Sequence, residues 1–395
     1  MPSKPESLNL YIHLPFCRKV CPFCPYVKEI YNPVLSTAYQ NAILEELESY
    51  RRLWGDVNVE SVYFGGGTPS LTPETIESTL SWIARNFHLG HEVGAEIHPL
   101  DTHSNVLSSL KNSGVSMVSL GVQTFHDRLL NILGRGYDGK LARQACERIV
   151  RAGFTTTDAD LIFAIPTQNQ EEAAADVETA CKSGVEQIST YPLIPFSYTP
   201  LSSHLHAAGL NLPSPLVERR MLKSIVKKAQ DEGYQRTSIW SFNRPGTARY
   251  TTVTKDAFVG IGAGASSRMG DYFSLNTFSV PEYIRAVENG SPTALASKLN
   301  AGDKMAYWLF WQCYNMAIDT GISRSIFGRD LPYRVRAPLF LSNLLGITRR
   351  RGNSIFLTGA GGYLFHLIEK EYTQAYLKTL WQACLEEVWP PRVVL

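Results

Sequence analysis

Six short apolar runs, each followed by a longer amphipathic stretch, occupy residues 8–192 of this 395-residue chain. The runs are 8–14 (LNLYIHL), 59–65 (VESVYFG), 93–99 (VGAEIHP), 116–123 (SMVSLGVQ), 157–165 (TDADLIFAI) and 185–193 (VEQISTYPL). A helix is expected over 34–53, with Leu35, Tyr39, Ile43, Leu44 and Leu47 on one face. Strand and helix alternating in this way give a parallel sheet with crossover helices. Six such units make an α/β fold, a partial (β/α)6 barrel rather than a closed eight-unit one. Ligands in such folds sit at the C-terminal ends of the strands.

The rhythm loosens after about residue 200, so the chain divides into 1–200 (barrel core), 201–300 (an extension) and 301–395 (a C-terminal module). The extension carries a helix expected at 214–232, a strand near 236–242 and the glycine-dense run GIGAGASS at 260–267. The module opens with a helical segment from 303 and ends with a β-hairpin feeding a helix, which reads as a small winged-helix-like domain.

Composition narrows the function classes. The net charge of +2 offers no field for nucleic acid or an anionic membrane, and the short run Arg349–Arg350–Arg351 reads as a solvated turn. No stretch is apolar enough to span a bilayer, and the first residues lack a signal-peptide core, so the expected location is the cytoplasm. Seven cysteines do not make a disulfide scaffold. Cys146, Cys181, Cys313 and Cys384 are scattered in helical segments and read as small buried hydrophobes.

The other three, Cys17, Cys21 and Cys24, stand at C-x3-C-x2-C directly after the first strand. Three thiolates so close can hold three irons of a 4Fe–4S cube and leave the fourth open. Zinc is the competing ligand, with His13 as the nearest fourth donor, though His13 lies in the strand before the loop.

The run YIHLPFCRKVCPFC resembles the cluster loop of radical S-adenosylmethionine (SAM) enzymes, and its lead-in resembles the oxygen-independent coproporphyrinogen III oxidase branch. The resemblance continues in family order through VYFGGGTPSL, EIHP, VSLGVQTF, LGRGY, DLIFAIP and GIGAGASS, so it covers nearly the whole chain. It implies a 4Fe–4S cluster on Cys17, Cys21 and Cys24, and reductive cleavage of SAM to a 5′-deoxyadenosyl radical.

It also implies a SAM pocket. Gly65, Gly66, Gly67 and Thr68 would hold the SAM amino group, although a plain tight turn is the alternative. Glu96 would face the methionine part, and Gln123 would lie between SAM and substrate. Arg135 matches the arginine that pairs with the SAM carboxylate, a geometry that suits a guanidinium. Asp160 would accept from a ribose hydroxyl, with Ile162 on the same face, and Phe23 would pack on adenine. Tyr11 occupies the family position beside the cluster loop; a half-buried strand tyrosine is the equal alternative. Gly260, Gly262, Gly264 and Ala265 offer a second close-approach surface or a loop packed on the sheet edge.

Two departures steer the reaction assigned. The oxidase has a fourth cysteine two residues after the trio, where this chain has Tyr26. The haem-chaperone relatives carry a His-Asn-x-x-Tyr-Trp segment where this chain has ARYTTVTKDAF (248–258). The resemblance then points to the class C methyltransferases and cyclopropanases, which use two SAM molecules to modify an sp2 carbon. The substrate expected is an aromatic small molecule or peptide-derived intermediate, with Tyr198, Trp240, Phe242, Tyr250 and Phe273 around it, core packing being the default for each. Tyr250 or Thr254 would assist proton removal. Tetrapyrrole chemistry and haem trafficking without turnover are the rival readings. A flavodoxin- or ferredoxin-type electron donor and a monomeric chain complete the expectation.

Overall fold

The structure, a computed structural model, describes residues 4–251, 255, 257–328 and 331–393. Six parallel strands form its centre: β1 (Ser7–Leu14), β2 (Asn58–Gly66), β3 (His88–Ile97), β4 (Met117–Gln123), β5 (Thr156–Phe163) and β6 (Gln187–Pro192). Two short strands, β7 (Gln235–Arg236) and β8 (Ser241–Asn243), and a third, β9 (Val259–Ile261), extend this sheet. Its order is β9-β1-β2-β3-β4-β5-β6-β8-β7, with β9 parallel to β1 and β8 antiparallel to β6. The six expected strands are all present. The single strand expected near 236–242 is instead a tight edge hairpin, since Ser238 and Ile239 turn the chain and Thr237 N–H donates to Ser241 O.

Local chemistry sets the crossover helices. Asn32 caps α1 (Pro33–Trp54) by accepting from Leu35 N–H, and Pro33 fills the first turn, where no donor is needed. Asn169 and Glu172 form a capping box on α2 (Gln170–Ser183), which Gly184 ends in a left-handed conformation.

Strand alternation divides the side chains. Leu8, Leu10, Ile12 and Leu14 of β1 are buried against the helices, as are Val62 and Phe64 of β2, Val93, Ala95 and Ile97 of β3, and Val118, Leu120 and Val122 of β4. The opposite face carries Asn9, Tyr11, His13, Ser61, Tyr63, Glu96, Ser119, Gln123, Asp158, Asp160, Gln187 and Ser189. The open barrel therefore has a polar lumen.

The glycine run is packed by the protein itself. Glu46 of α1, 3% exposed, accepts from Gly262 N–H (2.9 Å), Asn276 Nδ2 (2.9 Å) and the Tyr283 hydroxyl (2.6 Å). Burial pushes its carboxyl up to about 7. The Tyr39 hydroxyl accepts from Ala263 N–H (2.8 Å) and donates to His13 O (2.9 Å). A Cβ on Gly260 would meet Ser266 O, one on Gly262 the Tyr39 hydroxyl, and one on Gly264 the Val27 side chain. The second close approach is thus made by the chain's own backbone and side chains.

The C-terminal module is winged-helix-like. Ala317–Asp319, Thr348–Arg351 and Ser354–Leu357 form a three-stranded antiparallel sheet beside the helices Ala301–Tyr314, Thr320–Phe327 and Tyr333–Leu344. The helix Gly359–Tyr372 continues through Thr373–Leu377 into Lys378–Glu386. His366, fully buried, links it to the barrel, accepting from Trp240 Nε1 (3.0 Å) while its other nitrogen lies 2.8 Å from Glu218. Among the described residues no helix is long and apolar enough to cross a membrane.

Gly262 has φ of +106° and no space for a Cβ, so Gly262→Ala should destabilise the fold by about 2–5 kcal/mol in urea unfolding. Gly359→Ala meets nothing within 4 Å and should lie within about 0.5 kcal/mol of wild type. Equal midpoints for the two variants would show that the glycine run is not packed as described.

Candidate functional site

The C-terminal ends of the strands are tied together by their loops. The cysteine loop leaves β1 and folds back, with Glu29 N–H donating to Pro15 O and Tyr31 N–H to Cys17 O. Arg18 pairs with buried Asp101 after β3 (2.5 Å), and Ser70 after β2 donates to the same carboxylate (2.9 Å). Arg135, after β4, donates to Cys21 Sγ (3.1 Å), Gly121 O (3.0 Å) and the Tyr137 hydroxyl (3.0 Å). Thr68 Oγ1 lies 3.6 Å from Cys17 Sγ. The C-terminal helix closes over this end: Trp381 packs on Tyr26 and stacks on Phe196, and Ser197 donates to Gln382 (3.0 Å).

All seven cysteines are free thiols. Among the described residues no three His, Cys, Asp or Glu side chains are gathered as a metal-ion cage. His13 does not complete a zinc set. Its Nε2 faces Val27 O (2.9 Å), its Nδ1 faces the Tyr11 hydroxyl (3.1 Å), and burial lowers its pKa to about 4.

Below the cysteine loop lies the lumen. The Glu96 carboxyl accepts from the Tyr63 hydroxyl (3.0 Å) and Gly66 N–H (3.2 Å). Burial first, then the nearby Asp160 charge, raises its pKa to about 8. A Cβ on Gly65 would lie 2.9 Å from Glu96, Tyr11 and Tyr63, and one on Gly66 would strike the His13 ring. These two glycines admit the lumen's own side chains. Gln123 ends β4 at φ of +69°, next to a break in the β4–β5 register. A non-glycine residue there carries local strain, a feature that clusters at functional sites. Phe23 and Ile162 meet in one apolar cluster with Leu129, Leu133 and Leu193. Asp160 Oδ2 lies 2.7 Å from Ser119 Oγ.

Of the row beneath, sequence reading named Glu96 alone. Glu96, Ser119, Asp158, Gln187 and Asn243 are register partners across five adjacent strands. Ser189 donates to Asp158 (2.9 Å), Gln187 Nε2 to Ser189 Oγ (3.2 Å), and Asn243 Nδ2 to Gln187 Oε1 (2.8 Å). The available signal was polar residues at every second position of strands that also have an apolar face.

Tyr250 lies in the lumen floor, not at the mouth. Residues 244–251 and Ala257 lie along the N-terminal ends of the strands: Arg244 N–H donates to Glu186 O, Thr156 Oγ1 to Ala248 O, and Asn9 Nδ2 to Ala257 O. Gln187 clasps the Tyr250 backbone on both sides, with 2.9 Å contacts to its N–H and its carbonyl. The Tyr250 ring packs on Tyr63 (4.9 Å), and burial holds its hydroxyl well above the ordinary tyrosine value. Thr254 lies outside the described residues. The other aromatic candidates do not surround one cavity. Phe242 is in the main core, Phe273 is on a separate sheet, Trp240 packs with Tyr314 and Phe365, and Tyr198 lies against Phe196. Strand alternation sends Phe242 to the helix face, away from the lumen.

Because Glu96 keeps its proton when folded, stability attributable to it is complete at low pH and is lost as pH rises from the ordinary carboxyl range through about 8. Glu96→Gln removes that dependence. Its stability relative to wild type should therefore climb with pH over this window in urea titrations; a constant difference would refute a raised Glu96 pKa.

The Radical SAM superfamily model matches residues 11–180. The heme chaperone HemW of Lactococcus lactis is 31% identical over 292 residues, 72% of this chain and 76% of that protein. HemW of Bacillus subtilis is 28% identical over 370 residues, 90% of this chain and 96% of that protein. The oxygen-independent coproporphyrinogen III oxidase of Cereibacter sphaeroides is 27% identical over 303 residues, 72% of this chain and 67% of that protein. The solved Escherichia coli coproporphyrinogen III oxidase HemN superposes with a TM-score of 0.79 at 23% identity, over 94% of this chain and 91% of that one, which establishes a shared fold. These relatives are named for haem and coproporphyrinogen III, and they overturn the methyl-transfer reading. That reading also placed proton removal on Tyr250, whose hydroxyl is buried in the floor.

The superfamily implies a 4Fe–4S cluster and SAM, and the residues present fit both. Three free thiols share one loop, a guanidinium touches the sulfur of Cys21, and buried carboxyls face the lumen below. The chain belongs to the radical SAM superfamily, in the branch that holds the heme chaperone HemW and the oxygen-independent coproporphyrinogen III oxidases.

Proposed function

We propose that this protein cleaves SAM and directs the radical chemistry at a tetrapyrrole. When bound, a 4Fe–4S cluster and SAM supply an electron and a 5′-deoxyadenosyl radical able to remove hydrogen from carbon. Cys17, Cys21 and Cys24 hold the cluster in this reading. Arg135 holds its guanidinium against the Cys21 sulfur and serves the SAM carboxylate. Gly65, Gly66, Gly67 and Thr68 present a backbone edge to the SAM amino group, and Glu96 faces the methionine part. Asp160 accepts from the ribose, Phe23 and Ile162 enclose adenine, and Gln123 and Tyr11 line the passage to the substrate. The observation that carries the reading is the bridge made by Arg135, which joins the cysteine loop to the end of β4 at Gly121, directly beside the lumen.

One SAM suffices for this step; the second belonged to methyl transfer. Exposed Arg18 and Lys19 on the cysteine loop suit an acidic flavodoxin- or ferredoxin-type donor. Seven free thiols suit a reducing cytoplasm. A second reading, haem trafficking without turnover, is favoured by a likeness to the Bacillus subtilis chaperone that spans 90% of this chain and 96% of that protein. Against it stands the 248–258 segment, which has no histidine to offer as an axial ligand.

The test is anaerobic reconstitution with iron and sulfide, followed by a reductant, SAM and either haem or coproporphyrinogen III. The expected result is 5′-deoxyadenosine together with consumption of one tetrapyrrole. Cys21→Ala should lose the brown chromophore and 5′-deoxyadenosine together, while Cys146→Ala keeps both. Stoichiometric haem binding with no 5′-deoxyadenosine would establish the trafficking reading instead. Zinc in place of iron after loading would refute SAM cleavage.

A further inference from the structure

Ser119 stands between two carboxyls of β5. Its Oγ lies 2.7 Å from Asp160 Oδ2 and 3.1 Å from Asp158 Oδ2. A serine hydroxyl has one proton to give. The shorter contact takes it, so that proton belongs to Asp160. Ser119 Oγ and Asp158 Oδ2 then need a second proton between them, and Ser119 has none left. Ser189 donates to the same Asp158 oxygen (2.9 Å) and itself accepts from Gln187 Nε2. Asp158 Oδ1 has no partner, and the residue is 1% exposed.

The titratable groups that face Asp158 are Asp160 on its own strand, Tyr191 on β6 and Tyr250 from the floor, with Glu96 beyond Ser119 in the same row. None of them is a cation. An ionised Asp158 would put half its charge on an unpartnered buried oxygen beside a second carboxylate, which is the costly arrangement.

We propose that Asp158 is a neutral carboxylic acid that donates its hydroxyl proton to Ser119. The directed chain from Asp158 through Ser119 to Asp160 confines the negative charge to Asp160 and orients that carboxylate toward the SAM ribose. Asp158 is thus a positioning residue, and the inference rests on the ribose reading of Asp160 given above. Burial raises the pKa of both carboxyls, that of Asp160 to about 6 and that of Asp158 further, in the same direction as the geometry.

The test uses the anaerobically reconstituted protein, with SAM affinity measured by calorimetry and carboxyl protonation by infrared difference spectroscopy. Asp158→Ala and Ser119→Ala should each weaken SAM binding about tenfold, the loss of one hydrogen bond to a charged group. Asp158→Asn offers a neutral donor and acceptor of the same shape and should restore affinity to within about threefold. At neutral pH wild type should show a carboxylic-acid carbonyl band that disappears in Asp158→Asn and persists in Glu96→Gln. Absence of an Asp158-dependent band, or an Asp158→Asn protein no better than Asp158→Ala, overturns the proposal. If Asp160→Asn binds SAM as wild type does, the ribose reading fails, while the infrared band still decides the state of Asp158. Thermal melts of each variant separate misfolding from both outcomes.

Discussion

A sheet that closes only part of a barrel must keep its inner face dry enough to be stable and polar enough to act. That constraint governs this molecule. Each central strand puts apolar side chains outward, against the helices, and several polar ones inward. Buried polar groups without partners are costly, so the inward residues have to satisfy one another across the strands. Ser119, Asp158, Ser189, Gln187 and Asn243 are linked in this way by side-chain hydrogen bonds across β4, β5, β6 and β8. The row is a cross-brace for the sheet as well as the base of the site.

The rest of the chain closes what the six strands leave open. Residues 244–251 run from β8 along the feet of β6 and β5, and Ala257 is tied to Asn9 of β1, where β9 pairs in parallel. The glycine run that follows is pulled against α1 by Glu46 and Tyr39. Tyr39 also grips His13 O, one residue before β1 gives way to the cysteine loop. The rigidity of that loop is therefore set by residues far from it in sequence. His13 illustrates the economy: one ring, held at both nitrogens, fills the space left by Gly66 and anchors Val27 at the far side of the loop.

The six strands, α1 and the winged module were legible because each follows a local period or a local cap. The cysteine loop was legible because its spacing is itself chemical information. Glu96, Gln123, Arg135 and Asp160 were found only through family likeness, since a single polar residue at a strand end has no distinctive local signature. Asp158 and Ser119 were passed over although they alternate with the apolar positions of their strands. Their role depends on which strand lies beside which, and that order is not written locally. For the same reason residues 248–251 offered no sign that they would become part of a floor, and the aromatic residues were gathered into one pocket that alternation and the separate sheet keep apart. Nor did the glycine run announce that Gly65 and Gly66 also make room for Glu96, Tyr63 and His13.

On the function proposed above, the lumen row lies buried beneath SAM, which leaves substrate choice to the mouth, where this chain departs from its relatives. Tyr26 stands there in the position of the oxidase's additional cysteine, half-exposed, with its ring against Trp381. Trp381 in turn stacks on Phe196 with an interplanar angle of 21°. This brings three aromatic rings from the cysteine loop, the loop after β6 and the C-terminal helix into one contact, with Phe196 buried and Tyr26 exposed. The winged module contributes the ring that joins the other two. On the proposed function, the barrel supplies charge and hydrogen bonds to SAM, and the C-terminal helix shapes what SAM meets.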